Sequence, residues 1–194
     1  GRCRPEPRER TPVAPRETWE PIVAEYDACM IVGQHAMAGA RLGNMNHTQS
    51  SLAIDSYTLN GQPIGEIAQF ALSQGALGVP MIYLTGDEAA CNEAQQLIPG
   101  ITTAAVKKGL GRNCAISLSA TESRRRIREG AKLAVQVHQQ TPVAPLVWQP
   151  PYVLEIRYFH TDAADGAAQH RGAERVDDQT VRFASDNILD VIYM

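Results

Sequence analysis

Two histidines, His35 and His47, lie twelve residues apart in "IVGQHAMAGARLGNMNHTQSS", and a carboxylate, Glu66, opens the amphipathic stretch that follows. Imidazole nitrogen and carboxylate oxygen are both zinc donors, bound at roughly 2.0–2.2 Å, and a catalytic zinc keeps one position for water. An imidazole, with an ordinary pKa near ~6.5, is also the side chain best placed to move a proton at neutral pH. Nothing matches H-E-x-x-H or any other fixed-spacing zinc motif. Spacing alone therefore leaves three readings open: metal ligands, a catalytic pair, or two polar loop residues with satisfied hydrogen bonds.

Other chemistry is less well supported. "GALGVP" and "GLGR" fit neither the dinucleotide fingerprint nor the P-loop, and no G-x-S-x-G elbow exists. The four cysteines, Cys3, Cys29, Cys91 and Cys114, are scattered without a C-x-x-C pair and read as free thiols. Cys91 and Cys114 read as small packed residues rather than nucleophiles. Arg124, Arg125, Arg126 and Arg128 form a cationic run on a helix, which reads as a solvated face before it reads as an anion site. His138 sits at the end of that helix, where a cation suits the dipole. His160 and His170 fall in a polar stretch and read as surface residues. Asp87-Glu88 reads as the acidic start of a helix.

These residues need elements to hold them. "ACMIVG" (28–33) is a short apolar run read as a buried strand, with the histidine segment as the loop after it. Residues 53–65 hold an alternating strand and an Asn60-Gly61 turn. Ile67, Ala68, Ala71 and Leu72 follow a helical period, with Glu66 in the first turn, where the dipole favours a carboxylate. "VPMIYLTGD" (79–87) is a buried strand. "EAACNEAQQLIPG" is a helix stopped by Pro99 and Gly100. "TTAAV" (102–106) is a strand and "KKGLGRNC" a basic glycine loop. Residues 120–140 form the strongest helix, capped by Thr121 or Ser123, with Ile127, Ala131, Leu133, Ala134 and Val137 on its inner face. Residues 141–151 are a Pro-rich connector and 152–159 a half-buried strand. Residues 160–178 read as a loop, "QTVRFAS" as a strand, and "DNILDVIYM" as the start of a helix.

Alternating strands and helices predict an α/β fold, with a mixed or parallel sheet, flanking helices and a smaller α+β C-terminal segment. The divisions are 1–18, an irregular Arg/Pro-rich leader; 19–150, the α/β region; and 151–194, the C-terminal strand and helix segment. The net charge of −3 and pI near 6.0 speak against a nucleic-acid partner. No apolar run reaches the ~20 residues of a membrane span and no signal-peptide core is present, so no membrane partner and a cytoplasmic location are expected.

From Asp27 to Gln140 the chain resembles the zinc-dependent D-aminopeptidases of the DppA type. "MIVGQHAMAG" resembles the family's strand followed by G-x-H-A. "NMNHTQSS" resembles its second histidine block. "LNGQPIGEIAQFALSQGALGVPMIYLTGDEAACNEAQQLIPGITTAAVKKGLGR" resembles its N-G-x-x-[VI]-G-E, G-V-P-V, [ST]-G-D, E-A-x-x-L-I-P and T-x-x-V-K blocks, in order. Specificity comes from that order rather than from any single block.

The resemblance implies a two-zinc site that removes N-terminal D-amino acids from short peptides, within a ring-shaped homo-oligomer. On matching positions it implies His35 and Glu66 as zinc ligands and His47 as the catalytic histidine, acting as base or nucleophile. It also marks departures. The family's opening strand with Asp-x-Glu-Gly and a later N-D-x-H-like block have no counterpart, so the N-terminal strands of the family fold are missing and the metal site is incomplete. The chain is expected to be truncated at its N-terminus, with doubtful activity. The alternative is an inactive subunit acting only in self-assembly or association with a full-length relative. A third reading makes the Arg-rich leader a nucleic-acid contact, against which the overall charge already speaks.

Overall fold

The computed structural model describes residues 16–194; residues 1–15, most of the stretch read as a leader, lie outside the described residues. The elements run α1 (Arg16–Val23), β1 (Cys29–Gln34), β2 (Ile54–Leu59), β3 (Gln62–Ile64), α2 (Glu66–Gly75), β4 (Met81–Asp87), α3 (Glu88–Leu97), β5 (Thr102–Gly111), β6 (Cys114–Ser117), α4 (Ala120–Gln140), β7 (Tyr152–Tyr158), α5 (Thr161–Ala167), β8 (Glu174–Arg175) and β9 (Thr180–Ser185), closing on a 3-10 turn at Ile188–Asp190. Among the described residues no helix is long and apolar enough to cross a membrane.

Two sheets form. The first has the order β1-β4-β5-β6, with β1, β4 and β5 parallel and β6 antiparallel. Every residue of β4 is buried, as expected for a central parallel strand covered on both faces. The second is antiparallel, in the order β3-β2-β7-β9-β8. It joins the 54–64 hairpin to strands from beyond Pro150. Asn60 and Gly61 turn that hairpin with φ of +51° and +75°, the left-handed pair that a two-residue turn requires.

Helix α2 ties the two sheets together. Ile67 and Ala71 pack into the core around β4 and α3, whereas Ala68 and Leu72 pack into the core around β2, β7 and β9. A helix gripped on two flanks has little freedom to slide or roll. Glu66 is its first residue.

Several expectations change. Strand β1 forms as read but is not buried: among the described residues it pairs with β4 alone, and Val32 is 63% exposed. β5 runs on through Lys107–Gly111, which had read as a loop, and returns as β6. Helix α4 has the expected bounds, but Ser119 caps it, accepting from the Glu122 N–H at 3.2 Å. Of its expected inner face only Ala134 is buried, and Leu133 is half exposed. Arg125 and Arg126 pair with Glu122 and Glu129 of their own helix. Residues 160–178 hold α5 and β8, because Ala164 and Ala167 supply an apolar face that a count of polar residues hides. Residues 186–194 make one 3-10 turn rather than a longer helix, capped by the Asn187 side chain on Leu189 N–H. Arg16, inside the expected leader, opens α1 and pairs with Glu20 and Asp190.

Gly86 is where β4 most closely approaches β1, and a Cβ there would sit 1.9 Å from the Gln34 carbonyl oxygen. Overfilling a packed contact costs roughly 1–3 kcal/mol. Gly86→Ala is therefore expected to lower unfolding stability by about that amount in a urea titration. An unchanged midpoint would mean that β1 is not held this tightly.

Candidate metal centre

The site lies beyond the carboxyl end of β1, next to the end of its parallel neighbour β4, where open α/β sheets bind ligands. Strand β1 stops at Gln34, so His35 is the first residue past it. Glu66 stands at the N-terminus of α2, where the exposed N–H groups favour negative charge. His47 enters from the long loop between β1 and β2. His35, His47 and Glu66 each offer a ligand atom, and the three atoms lie within 4.8 Å of one another. The side chains are 22%, 26% and 26% exposed, so the cluster is held yet open to solvent.

The distances separate the two histidines. His35 Nε2 is 3.4 Å from Glu66 Oε2, and His47 Nε2 is 4.0 Å from Glu66 Oε1. Donors on a tetrahedral zinc with bonds of about 2.1 Å stand about 3.4 Å apart. The His35–Glu66 pair already has that spacing, while His47 stands further back. The imidazole rings stack, with centroids 4.0 Å apart and planes at 23°.

Each ring is fixed by its other nitrogen. His35 Nδ1 lies 3.0 Å from the Ala36 carbonyl oxygen and His47 Nδ1 lies 2.7 Å from that of Met45. A carbonyl can only accept, so both Nδ1 atoms carry the proton. Both Nε2 atoms then face the same carboxylate, an arrangement that suits a cation between them. The pairing with Glu66 raises the pKa of His35, against the lowering effect of burial. The reciprocal bond to His35, helped by the Gln49 N–H, holds Glu66 down at about 2. A proton can fill the gap. So can a divalent metal, and the N, N, O donor set with backbone-anchored imidazoles is the pattern of metal-binding histidines.

The loop carrying His47 is locked into an unusual path. Leu42, Met45 and Gln49 have φ of +60°, +56° and +60°, a conformation costly for side-chain-bearing residues unless neighbours impose it. The neighbours are identifiable. Asp87 uses Oδ1 to cap α3 and Oδ2 to accept the Asn44 N–H at 2.7 Å. Buried Thr48 accepts the Ala38 N–H. The Arg112 carbonyl accepts the Met45 N–H at 2.6 Å. A Cβ at Gly109 would lie 1.8 Å from the Leu42 carbonyl oxygen, so β5 meets this loop where only glycine fits.

All three residues picked from sequence come together. Sequence reasoning missed their supports. Gln49 donates its N–H to Glu66 at 2.7 Å and its side-chain amide to the fully buried Gln69, which donates in turn to the Ile192 carbonyl. Gln34 donates to Glu66 at 3.3 Å. Glu93 of α3 accepts the Met37 N–H at 2.8 Å, and burial pushes its pKa up to about 7. Only a polar residue on an otherwise apolar helix face could have pointed to Gln69 or Glu93. Cys29, Cys91 and Cys114 are free thiols. His138 accepts the Val143 N–H, and His160 caps α5 only through its backbone.

A family model described as D-aminopeptidase matches residues 13–194. The D-aminopeptidase of Bacillus subtilis (strain 168) is 30% identical over 179 residues, which is 92% of this chain and 64% of that protein. A solved structure, the Zn-dependent D-aminopeptidase DppA from Bacillus subtilis, a self-compartmentalizing protease, is similar with a TM-score of 0.81 at 29% identity, over 88% of this chain and 61% of that one. The chain thus spans less than two thirds of the length of these relatives.

Metal must displace the proton that His35 shares with Glu66. Zinc affinity measured by competition with a chromophoric chelator should therefore fall as the pH drops through the raised pKa of His35. In Glu66→Gln the main cause of that rise is gone. The loss of binding should then move to lower pH, while affinity at high pH falls for want of the carboxylate. A pH profile identical in both proteins would rule the pairing out.

Proposed function

Because the chain belongs to the D-aminopeptidase family, we propose that it is a metal-dependent hydrolase that removes N-terminal D-amino acids from short peptides, with His35 and Glu66 holding metal and His47 handling the proton. One observation carries this reading: two imidazole Nε2 atoms, each oriented through an Nδ1–H bond to a carbonyl, converge on one carboxylate. When bound, the metal supplies Lewis-acid polarisation of the scissile carbonyl. Zinc, the metal named for the solved relative, fits the donors; a second zinc would need further ligands.

The remaining work falls to the chain's own groups. His35 and Glu66, 3.4 Å apart, would hold the metal. Gln34 and the Gln49 N–H hold the Glu66 carboxylate so that it does not turn toward water. His47 keeps its Nδ1 proton on Met45, which leaves Nε2 free to take a proton from the attacking water and return it to the departing amine as the peptide bond breaks. Its greater distance from Glu66 suits this mobile part. A His47 that attacked as a nucleophile would use the same nitrogen.

Two variants divide the roles. His47→Ala should retain most of the zinc affinity and lower kcat for a D-alanyl dipeptide by about 10²- to 10⁴-fold. His35→Ala should lose the zinc itself. Equal loss of zinc in both variants would make His47 a ligand and overturn the assignment.

A second reading, assembly without turnover, is favoured by the surface. Among the described residues strand β1 pairs on one side only, and Val32 of β1 and Ile116 of β6, on the two outer strands of that sheet, are 63% and 62% exposed. Exposed edges of this kind invite association. Sedimentation should show a species larger than one chain. A monomer at micromolar concentration that turns over peptide would remove this reading.

A further inference from the structure

A second cavity also borders His47, without Glu66 among its lining residues. His47 and Arg112 line one open cavity of about 310 Å³, with Ile54 and Phe159 as its apolar surface and Asp55 also on its wall. That volume is at the lower end of the range for small-molecule sites, which runs from about 300 to 1,000 Å³. Asp55 is answered by Arg157 at 3.3 Å. Arg112 has no carboxylate partner among the described residues, so its charge is left for the cavity.

Arg112 is also placed rather than loose. Its carbonyl accepts the Met45 N–H at 2.6 Å and the Asn44 side-chain amide at 3.3 Å, and its Nε donates to the Asn46 carbonyl at 3.3 Å. Three bonds thus tie it to the residues just before His47, and Nη1 and Nη2 remain available for a bidentate contact with a carboxylate.

Building on the peptidase reading, we propose that Arg112 binds the C-terminal carboxylate of a short peptide whose scissile bond lies at His47, which makes the chain selective for substrates with a free C-terminus close behind that bond. One extended residue spans about 3.3–3.6 Å, so a guanidinium tied to the residue beside His47 is within reach of a dipeptide carboxylate. A long peptide would carry an uncharged amide at that place and leave the guanidinium unanswered.

The test measures binding as well as turnover. The full chain, with zinc present, is titrated calorimetrically with D-alanyl-D-alanine and with the same dipeptide as its C-terminal amide. The wild type should bind the acid about tenfold more tightly than the amide, the scale of a charge-assisted bidentate contact. In Arg112→Gln the ratio should fall toward one while amide binding is unchanged, and in Arg112→Lys part of the preference should remain. KM for the acid should rise with kcat held. Equal binding of both ligands by the wild type would overturn the proposal and leave the peptidase reading standing. So would an equal weakening of both ligands in Arg112→Gln, the mark of a loop support. Failure of the wild type to bind either dipeptide would defeat both.

Discussion

The position of one carboxylate governs the rest of the site. Glu66 stands on a helix turn that reaches both sheets' cores: the residues that follow it alternate between the β4 core and the β7 core. Helix α2 therefore cannot move without disturbing two packed interiors. Its N-terminal dipole favours the ionised carboxylate, and Gly65 lets the helix start come close to Met37, because a Cβ there would lie 2.4 Å from the Met37 Cβ. The histidine loop is then built around Glu66, through the Gln49 N–H and the two imidazoles. Without the fixed carboxylate the stacked imidazoles would have no common target.

That constraint accounts for the strain in the loop. Three side-chain-bearing residues with positive φ in eight positions would be unstable in an isolated segment. They persist because Asp87, Thr48, Arg112 and Gly109 fix the loop at separate points. Thr48 binds within the loop, while the others come from the end of β4 and from β5 with its turn, so the loop's shape depends on the assembled fold. A histidine cluster mounted this way would need little reorganisation to bind a ligand, the usual advantage of a preformed site.

This division explains what could be read from sequence. The hairpin at Asn60-Gly61, the buried β4 and the helix from Ala120 to Gln140 follow from local chemistry: a left-handed turn pair, a continuous apolar run and an uninterrupted helical period. His35, His47 and Glu66 could be picked out by residue type and by family resemblance. Their supports could not. Gln69 matters because a distant carbonyl, that of Ile192, meets it, and Arg112 because β5 continues through residues that look like a glycine loop. The exposure of β1 also escaped, since its sequence is as apolar as that of β4 and only the sheet order reveals which of the two lacks a second neighbour.

The same geometry explains how one loop can serve two tasks. His35 and His47 are chemically identical and both are anchored through Nδ1, yet they stand at different distances from Glu66. The nearer ring pairs with the carboxylate at 3.4 Å and, on the proposed roles, is suited to hold a metal with it. The farther ring also lines the Arg112 cavity, so one residue borders both the charge centre and that space. A ring in that place can pass a proton from one side to the other without leaving its anchor on Met45. On the proposed roles, the difference between ligand and acid–base group lies in a few tenths of an ångström set by the loop, which is held from outside by Asp87 and Arg112.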